Sequence, residues 1–283
     1  MHRLLIVLCV SLYCSAAFAG AHAKGEVAET AAAHSTDQPV ASPAANTKPR
    51  LPVTGQAIVY GKVGDSELRG YLAQPVKANP DLPGLIVIHE WWGLNDNIRK
   101  VTERLAGEGY VALAVDLYGG QSATIPKEAI KLMNGLMADT DGADENLRQA
   151  HRFLAAELGA PRVGSIGWCL GGKWSLRTAV ILPDQLDAAV MYYGSVTTDE
   201  AELAPINLPV MGNFAENDVL IPLDSVEQFT STMQRLGKTV DVKVYTGTKH
   251  AFSNPSGMAY DAAAAEDAWQ RSTGFLRSHL QAE

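Results

Sequence analysis

Cys169, Asp218 and His250 are of the right types, and in the right order, for nucleophilic catalysis. Gly167-Trp168-Cys169-Leu170-Gly171 has the form of a nucleophile elbow, G-x-S-x-G, with cysteine where serine is usual. Glycines two residues to either side allow a sharp turn and keep side chains clear of a strained nucleophile. A sulfur at a helix N-terminus also meets backbone N–H groups and a dipole that favour the thiolate. A lone cysteine is more often a small buried residue, but its place between a strand and a helix favours the nucleophile. Asp218 closes the stretch Asn213-Phe214-Ala215-Glu216-Asn217-Asp218, with Glu216 as a competing acid, and His250 opens His250-Ala251-Phe252. His250 would exchange a proton with the sulfur, and Asp218 would hold the imidazole in one tautomer.

The same glycines also fit most of a phosphate-cradling loop, Gly167-x4-Gly172-Lys173, which likewise sits between strand and helix. That loop needs Ser or Thr next, to hold Mg²⁺, and the chain has Trp174.

Elements that would carry these residues are legible as alternating texture. Gln56–Val63 and Glu67–Gln74 read as an antiparallel pair turning at Gly64-Asp65. Apolar runs suited to buried strands follow at 84–89, 110–115, 163–168, 188–193, 210–214 and 240–245. Between them lie amphipathic stretches at 97–106, 127–137, 144–158, 170–182, 225–236 and 261–279. Gly109, Pro126, Gly159, Pro183 and Gly237 punctuate the junctions. This alternation predicts an α/β fold with a mainly parallel sheet, whose reactive groups lie beyond the strand C-termini.

The chain has 283 residues, 47% apolar and 19% charged, with a net charge of −8, which offers no basic surface for nucleic acid or anionic lipid. The N-terminus reads as a leader: Arg3, the apolar run Leu4–Val10, then Ala17-Phe18-Ala19 before Gly20. Cleavage after Ala19 predicts an exported, periplasmic protein and removes Cys9 and Cys14, leaving Cys169 as the only cysteine of the mature chain. Residues 20–54, rich in Ala and Pro and without an aromatic, predict a flexible linker. The expected organisation is a leader at 1–19, a linker at 20–54 and one domain at 55–283. No apolar run after the leader is long enough to span a bilayer.

With these residues in view, the chain resembles the dienelactone hydrolase family of α/β-hydrolases across residues 55–283. The resemblance rests on His89-Glu90-Trp91-Trp92-Gly93-Leu94, Asp116-Leu117-Tyr118, the elbow through Gly172, the Glu216–Asp218 turn and His250-Ala251-Phe252. It implies an α/β-hydrolase fold and a cysteine nucleophile whose activation involves a glutamate after the third strand, here Glu90. On the residues alone, Glu90 ends an apolar strand that points to the same rim as Cys169, while His89 reads as structural. The backbone N–H of Leu170 and that of Trp91 are expected to form the oxyanion hole. Trp92, Tyr118, Phe252 and Asn254 are the candidate pocket residues.

One departure concerns substrate choice. The resemblance implies two arginines that hold a substrate carboxylate, yet four residues after His250 stands Asn254, and no arginine occurs between Leu105 and Leu147. Lys127 and Lys131 lie in that stretch, but an ammonium does not reproduce a bidentate guanidinium clamp. The expected function is hydrolysis of a small-molecule ester or lactone by a monomer, with no cofactor and no metal. A thioesterase, a non-catalytic binder on the same fold and a thiol-redox protein are the alternatives.

Overall fold

Leu85-Ile86-Val87-Ile88 leaves no polar side chain to face water, and the strand it forms is buried along its whole length. The computed structural model describes residues 43–77 and 81–281, so the expected leader and the linker up to residue 42 lie outside the described residues. Eight strands form one sheet: β1 (Val53–Val63), β2 (Ser66–Pro75), β3 (Gly84–Ile88), β4 (Val111–Val115), β5 (Val163–Trp168), β6 (Ala188–Tyr192), β7 (Val210–Ala215) and β8 (Val240–Tyr245). Their spatial order is β1-β2-β4-β3-β5-β6-β7-β8. The β1–β2 and β2–β4 pairs are antiparallel and all others parallel. The C-termini of β3 to β8 therefore share one rim, where reactive groups collect in sheets of this kind.

Helices cover both faces: α1 (Asp96–Gly107), α2 (Pro126–Ala138), α3 (Thr140–Arg152), α4 (Leu170–Ile181), α5 (Glu200–Leu203), α6 (Leu223–Arg235) and α7 (Ala262–Leu280). One layer of core joins Ile86, Ile88, Leu113 and Val115 to Leu147, Trp174 and Phe229. The opposite layer joins Leu85, Val87, Ile166 and Val190 to Leu105 and Leu276. Alternate residues of each central strand thus serve opposite layers, as the pleat requires.

Three features depart from the expected elements. The helix predicted from Asp144 begins earlier, because the Asp139 side chain accepts the Gly142 N–H and caps α3 at Thr140. It then widens into a π-helical turn at Phe153–Glu157. The linker expected to run to Thr54 meets the domain sooner: Leu51 donates to the Gly107 carbonyl at 3.2 Å, and β1 starts at Val53. Among the described residues no helix is long and apolar enough to cross a membrane.

Candidate active site

β5 delivers its last residue, Trp168, directly to Cys169, and α4 begins at the next position. Cys169 has φ 54° and ψ −119°, left-handed backbone that costs a side-chain-bearing residue about 1–3 kcal/mol. The turn is tight enough to exclude any Cβ on either side. A Cβ at Gly167 would stand 2.1 Å from the Gly171 carbonyl oxygen, and one at Gly171 would stand 2.2 Å from that of Ile88. The glycines of the elbow are therefore required by close approach, and they bring it against the end of β3.

The rim assembles a chain of contacts from three loops. His250 Nε2 lies 3.2 Å from Cys169 Sγ, and His250 Nδ1 lies 2.8 Å from Asp218 Oδ2. The other Asp218 oxygen accepts the N–H groups of Leu220 and Ile221 at 2.9 and 3.0 Å, which fixes the carboxylate. An acceptor-only carboxylate at Nδ1 places the imidazole proton there and leaves the Nε2 lone pair toward sulfur. All three residues are buried. Glu216, the competing acid, instead accepts the Gly247 N–H at 2.7 Å.

Glu90 comes to the same rim. Its carboxylate accepts the Asn254 side-chain amide at 2.8 Å, and the Tyr193 hydroxyl lies 3.5 Å from its other oxygen. Tyr193 was not expected. It follows β6 with φ 37°, and its ring stands edge-on to His250 with centroids 5.1 Å apart. Burial, then the nearby Glu90 and Cys169, push its hydroxyl well above its ordinary pKa, so it stays a donor. The non-glycine residues of positive φ among those described are Cys169, Tyr193 and Ala251, all at this site. A Tyr-Tyr-Gly run ending a parallel strand at the reactive rim was the available signal for Tyr193.

The candidate pocket residues divide. Asn254 touches Glu90 as described. Trp92 and Phe252 are buried, at 1% and 0% exposure, Trp92 packed on Trp91 and Phe252 on Tyr193 and Tyr245. Tyr118 is buried too, and its hydroxyl donates to the Trp91 carbonyl at 3.0 Å, so it supports the loop after β3. Leu170 begins α4, which leaves its N–H without an intrahelical acceptor. His89 is wholly enclosed, and burial lowers its pKa, keeping the ring neutral.

A cavity of about 120 Å³ opens beside Glu90, lined also by Tyr193, Asn254, Trp168 and, from the N-terminal segment, Ala45 and Thr47. Among the described residues no group of three or more His, Cys, Asp and Glu is arranged to hold a metal ion.

A model of the dienelactone hydrolase family matches residues 68–280. "Protein usf" of Aquifex pyrophilus is 36% identical over 233 residues, covering 80% of this chain and 99% of its own. A "putative carboxymethylenebutenolidase" of Aquifex aeolicus is 33% identical over 234 residues, covering 80% of this chain and all of its own (100%). Among solved structures, the "putative dienelactone hydrolase" of Klebsiella pneumoniae superposes with a TM-score of 0.67 at 28% identity, over 81% of this chain and 99% of that one. The chain belongs to the dienelactone hydrolase family, has its α/β-hydrolase fold, and is a hydrolase of carboxylic ester or lactone bonds.

Proposed function

We propose that the hydrolysis runs through Cys169, His250 and Asp218, and that the preferred substrates are small uncharged esters or lactones. The observation that carries this reading is the unbroken contact chain from Cys169 Sγ through His250 to Asp218. His250 Nε2 takes the thiol proton as sulfur attacks the carbonyl carbon. The resulting oxyanion lies against the N–H groups of Leu170 and Trp91. Collapse breaks the bond to the leaving oxygen, which takes the proton from His250, and a thioester remains on Cys169. Water, deprotonated by His250, then attacks that thioester; the C–S bond breaks, the Cys169 sulfur takes the proton from His250, and the acid is released.

Glu90 brings a carboxyl group to this site, one oxygen of which accepts the Asn254 side-chain amide. No arginine stands at position 254 or between Leu105 and Leu147 to clamp a substrate carboxylate, which argues for an uncharged acyl part. Export is part of the same reading: residues 1–19 act as a cleaved leader, the Ala- and Pro-rich stretch 20–54 as a linker whose last residues dock on the domain, and the mature enzyme works in the periplasm.

Steady-state hydrolysis of phenyl acetate, before and after stoichiometric alkylation of Cys169, tests the mechanism. Turnover is expected to fall about a thousandfold or more on alkylation and equally in Cys169→Ala. Turnover that survives both changes removes the cysteine from the reaction, and a lack of turnover in the untreated protein moves the substrate from simple aryl esters to a more demanding lactone. A carboxylate-bearing dienelactone, tested alongside, is expected to be the poorer substrate.

A further inference from the structure

His89 is a buried group that the reaction just described leaves unused. Its Nε2 receives the Leu117 N–H at 3.1 Å, and its Nδ1 lies 2.6 Å from the Glu90 carbonyl oxygen. An amide N–H can only donate and a carbonyl can only accept, so the ring has one consistent form: neutral, with its proton on Nδ1. The Glu90 carbonyl also receives the Gly93 N–H at 3.1 Å. This carbonyl belongs to the Glu90–Trp91 peptide, which is trans, so the Trp91 N–H leaves from the opposite edge of the same rigid plane.

We propose that His89 is the positioning residue of the oxyanion hole: its Nδ1–H holds the Glu90 carbonyl and thereby aims the Trp91 N–H at the oxygen of the carbonyl attacked by Cys169. The inference rests on the oxyanion role given above to Trp91. Its surroundings are built for that task. The Leu117 N–H anchors the ring from the end of β4, and the Tyr118 ring packs on it with centroids 4.7 Å apart. The Tyr118 hydroxyl takes the next carbonyl along, that of Trp91, and the Tyr118 N–H is itself held by Asp116 Oδ1 at 2.8 Å. Of two successive peptides in the loop after β3, one is thus held by His89, itself anchored on Leu117, and the next by Tyr118 from the loop after β4. The elbow touches the start of this loop, since a Cβ on Gly171 would stand 2.6 Å from the His89 carbonyl oxygen. A donor on the carbonyl oxygen also polarises the amide, which strengthens the N–H on its far edge as a donor.

Two substitutions separate the contacts of the ring. In His89→Asn the side-chain amide sits near the position of Nδ1 and can still donate to the Glu90 carbonyl. In His89→Gln the amide sits near the position of Nε2, where it can serve Leu117 but leaves the Glu90 carbonyl without that donor. Three readouts apply to the full-length protein and both variants: phenyl acetate hydrolysis, affinity for an aryl trifluoromethyl ketone, and the rate of Cys169 alkylation by iodoacetamide, followed by mass spectrometry on the peptide that carries Cys169. The ketone adds Cys169 sulfur to form a tetrahedral alkoxide in the hole, whereas alkylation forms no oxyanion. His89→Gln is expected to lose about 10- to 100-fold in kcat with KM within about threefold, and ketone affinity should weaken by the same factor. His89→Asn should stay within about threefold of the parent, and both variants should alkylate at the parent rate. Parent-like kcat and ketone affinity in His89→Gln overturn the proposal. So do equal losses in both variants accompanied by slower alkylation, which would place the effect on the sulfur or on the fold. If the parent hydrolyses no ester, the proposed mechanism fails by itself, while the ketone affinities still decide the role of His89.

Discussion

Asp218 has two carboxylate oxygens with separate duties, and that separation makes its contribution measurable. One oxygen accepts the Leu220 and Ile221 N–H groups; the other faces His250 Nδ1. In Asp218→Asn the amide oxygen would keep the two backbone bonds, so the turn should survive. The amide NH₂ would then face Nδ1, which must become an acceptor, and the imidazole proton would move to Nε2, opposite the sulfur. The variant is expected to lose about a thousandfold or more in kcat with a melting temperature within about 3 °C of the parent. Circular dichroism melts beside ester kinetics check both halves, and retained activity would mean that Asp218 only shapes the turn. The cysteine, acid and histidine were legible in the chain because each sits at a strand end, where type and order are informative. The aromatic residues were less so. Trp92, Phe252 and Tyr118 occupy loops of the rim, but whether a ring faces a pocket or the layer behind it depends on neighbours distant in sequence. For Tyr193 the Tyr-Tyr-Gly strand end marked a place at the rim, but nothing in its type announces the positive φ that turns its ring to His250.

Each strand of the sheet center was readable because burial on both faces leaves a continuous apolar run, and β5 matches its expected span residue for residue; β8 does too, although it is a half-buried edge strand with Asp241 and Lys243 on it rather than the buried strand expected. Helix starts were harder. α3 opens with Thr140-Asp141-Gly142, which carries no apolar period, and only the Asp139 cap defines its first turn. α5 has four residues and cannot display a period at all. The elbow is the element whose sequence is most tightly dictated, and a pair of glycine substitutions measures this. Gly171→Ala forces a Cβ to within 2.2 Å of the Ile88 carbonyl oxygen and 2.6 Å of that of His89, so β3 or α4 must shift. The expected loss is about 2–3 kcal/mol or more, read from urea unfolding, and esterase activity should fall with it. Gly135, exposed within α2 with nothing within 4 Å of an added Cβ, is the control. There alanine should stabilise by about 0.5–1 kcal/mol through the lower entropy of the unfolded chain and its better helix propensity. Equal effects at the two sites would contradict the close approach argued for the elbow.

On the scale of the whole molecule, the question is where the proposed linker ends and the folded domain begins. Composition puts that border near residue 54, because Ala, Pro and Thr carry too little apolar area to predict a docked segment. Packing moves it earlier. Leu51 bonds to Gly107 at the end of α1, and the Pro52 carbonyl accepts the Val76 N–H at 2.9 Å, tying the segment to the end of β2. A Cβ on Gly107 would stand 2.7 Å from Pro49 Cβ, so the segment lies directly on the helix. Farther back, Ala45 and Thr47 wall the cavity beside Glu90 and Asn254. A mature chain exported from a bacterial host is expected to begin at Gly20, as its intact mass would show. Removal of residues 20–42 should leave melting temperature and ester turnover unchanged, because that stretch is rich in Ala and Pro, has no aromatic and carries too little apolar area to dock. Removal up to Pro52 deletes two backbone hydrogen bonds and the cover over α1, a loss of about 1–3 kcal/mol. For a domain of this size that lowers the melting temperature by roughly 3–10 °C. The shorter chain should also change KM more than kcat, because the cavity wall it loses adjoins Glu90 and Asn254 while the Cys169–His250–Asp218 contacts remain. Identical melts for the two truncations would return the border to residue 54 and make the segment a passive tether.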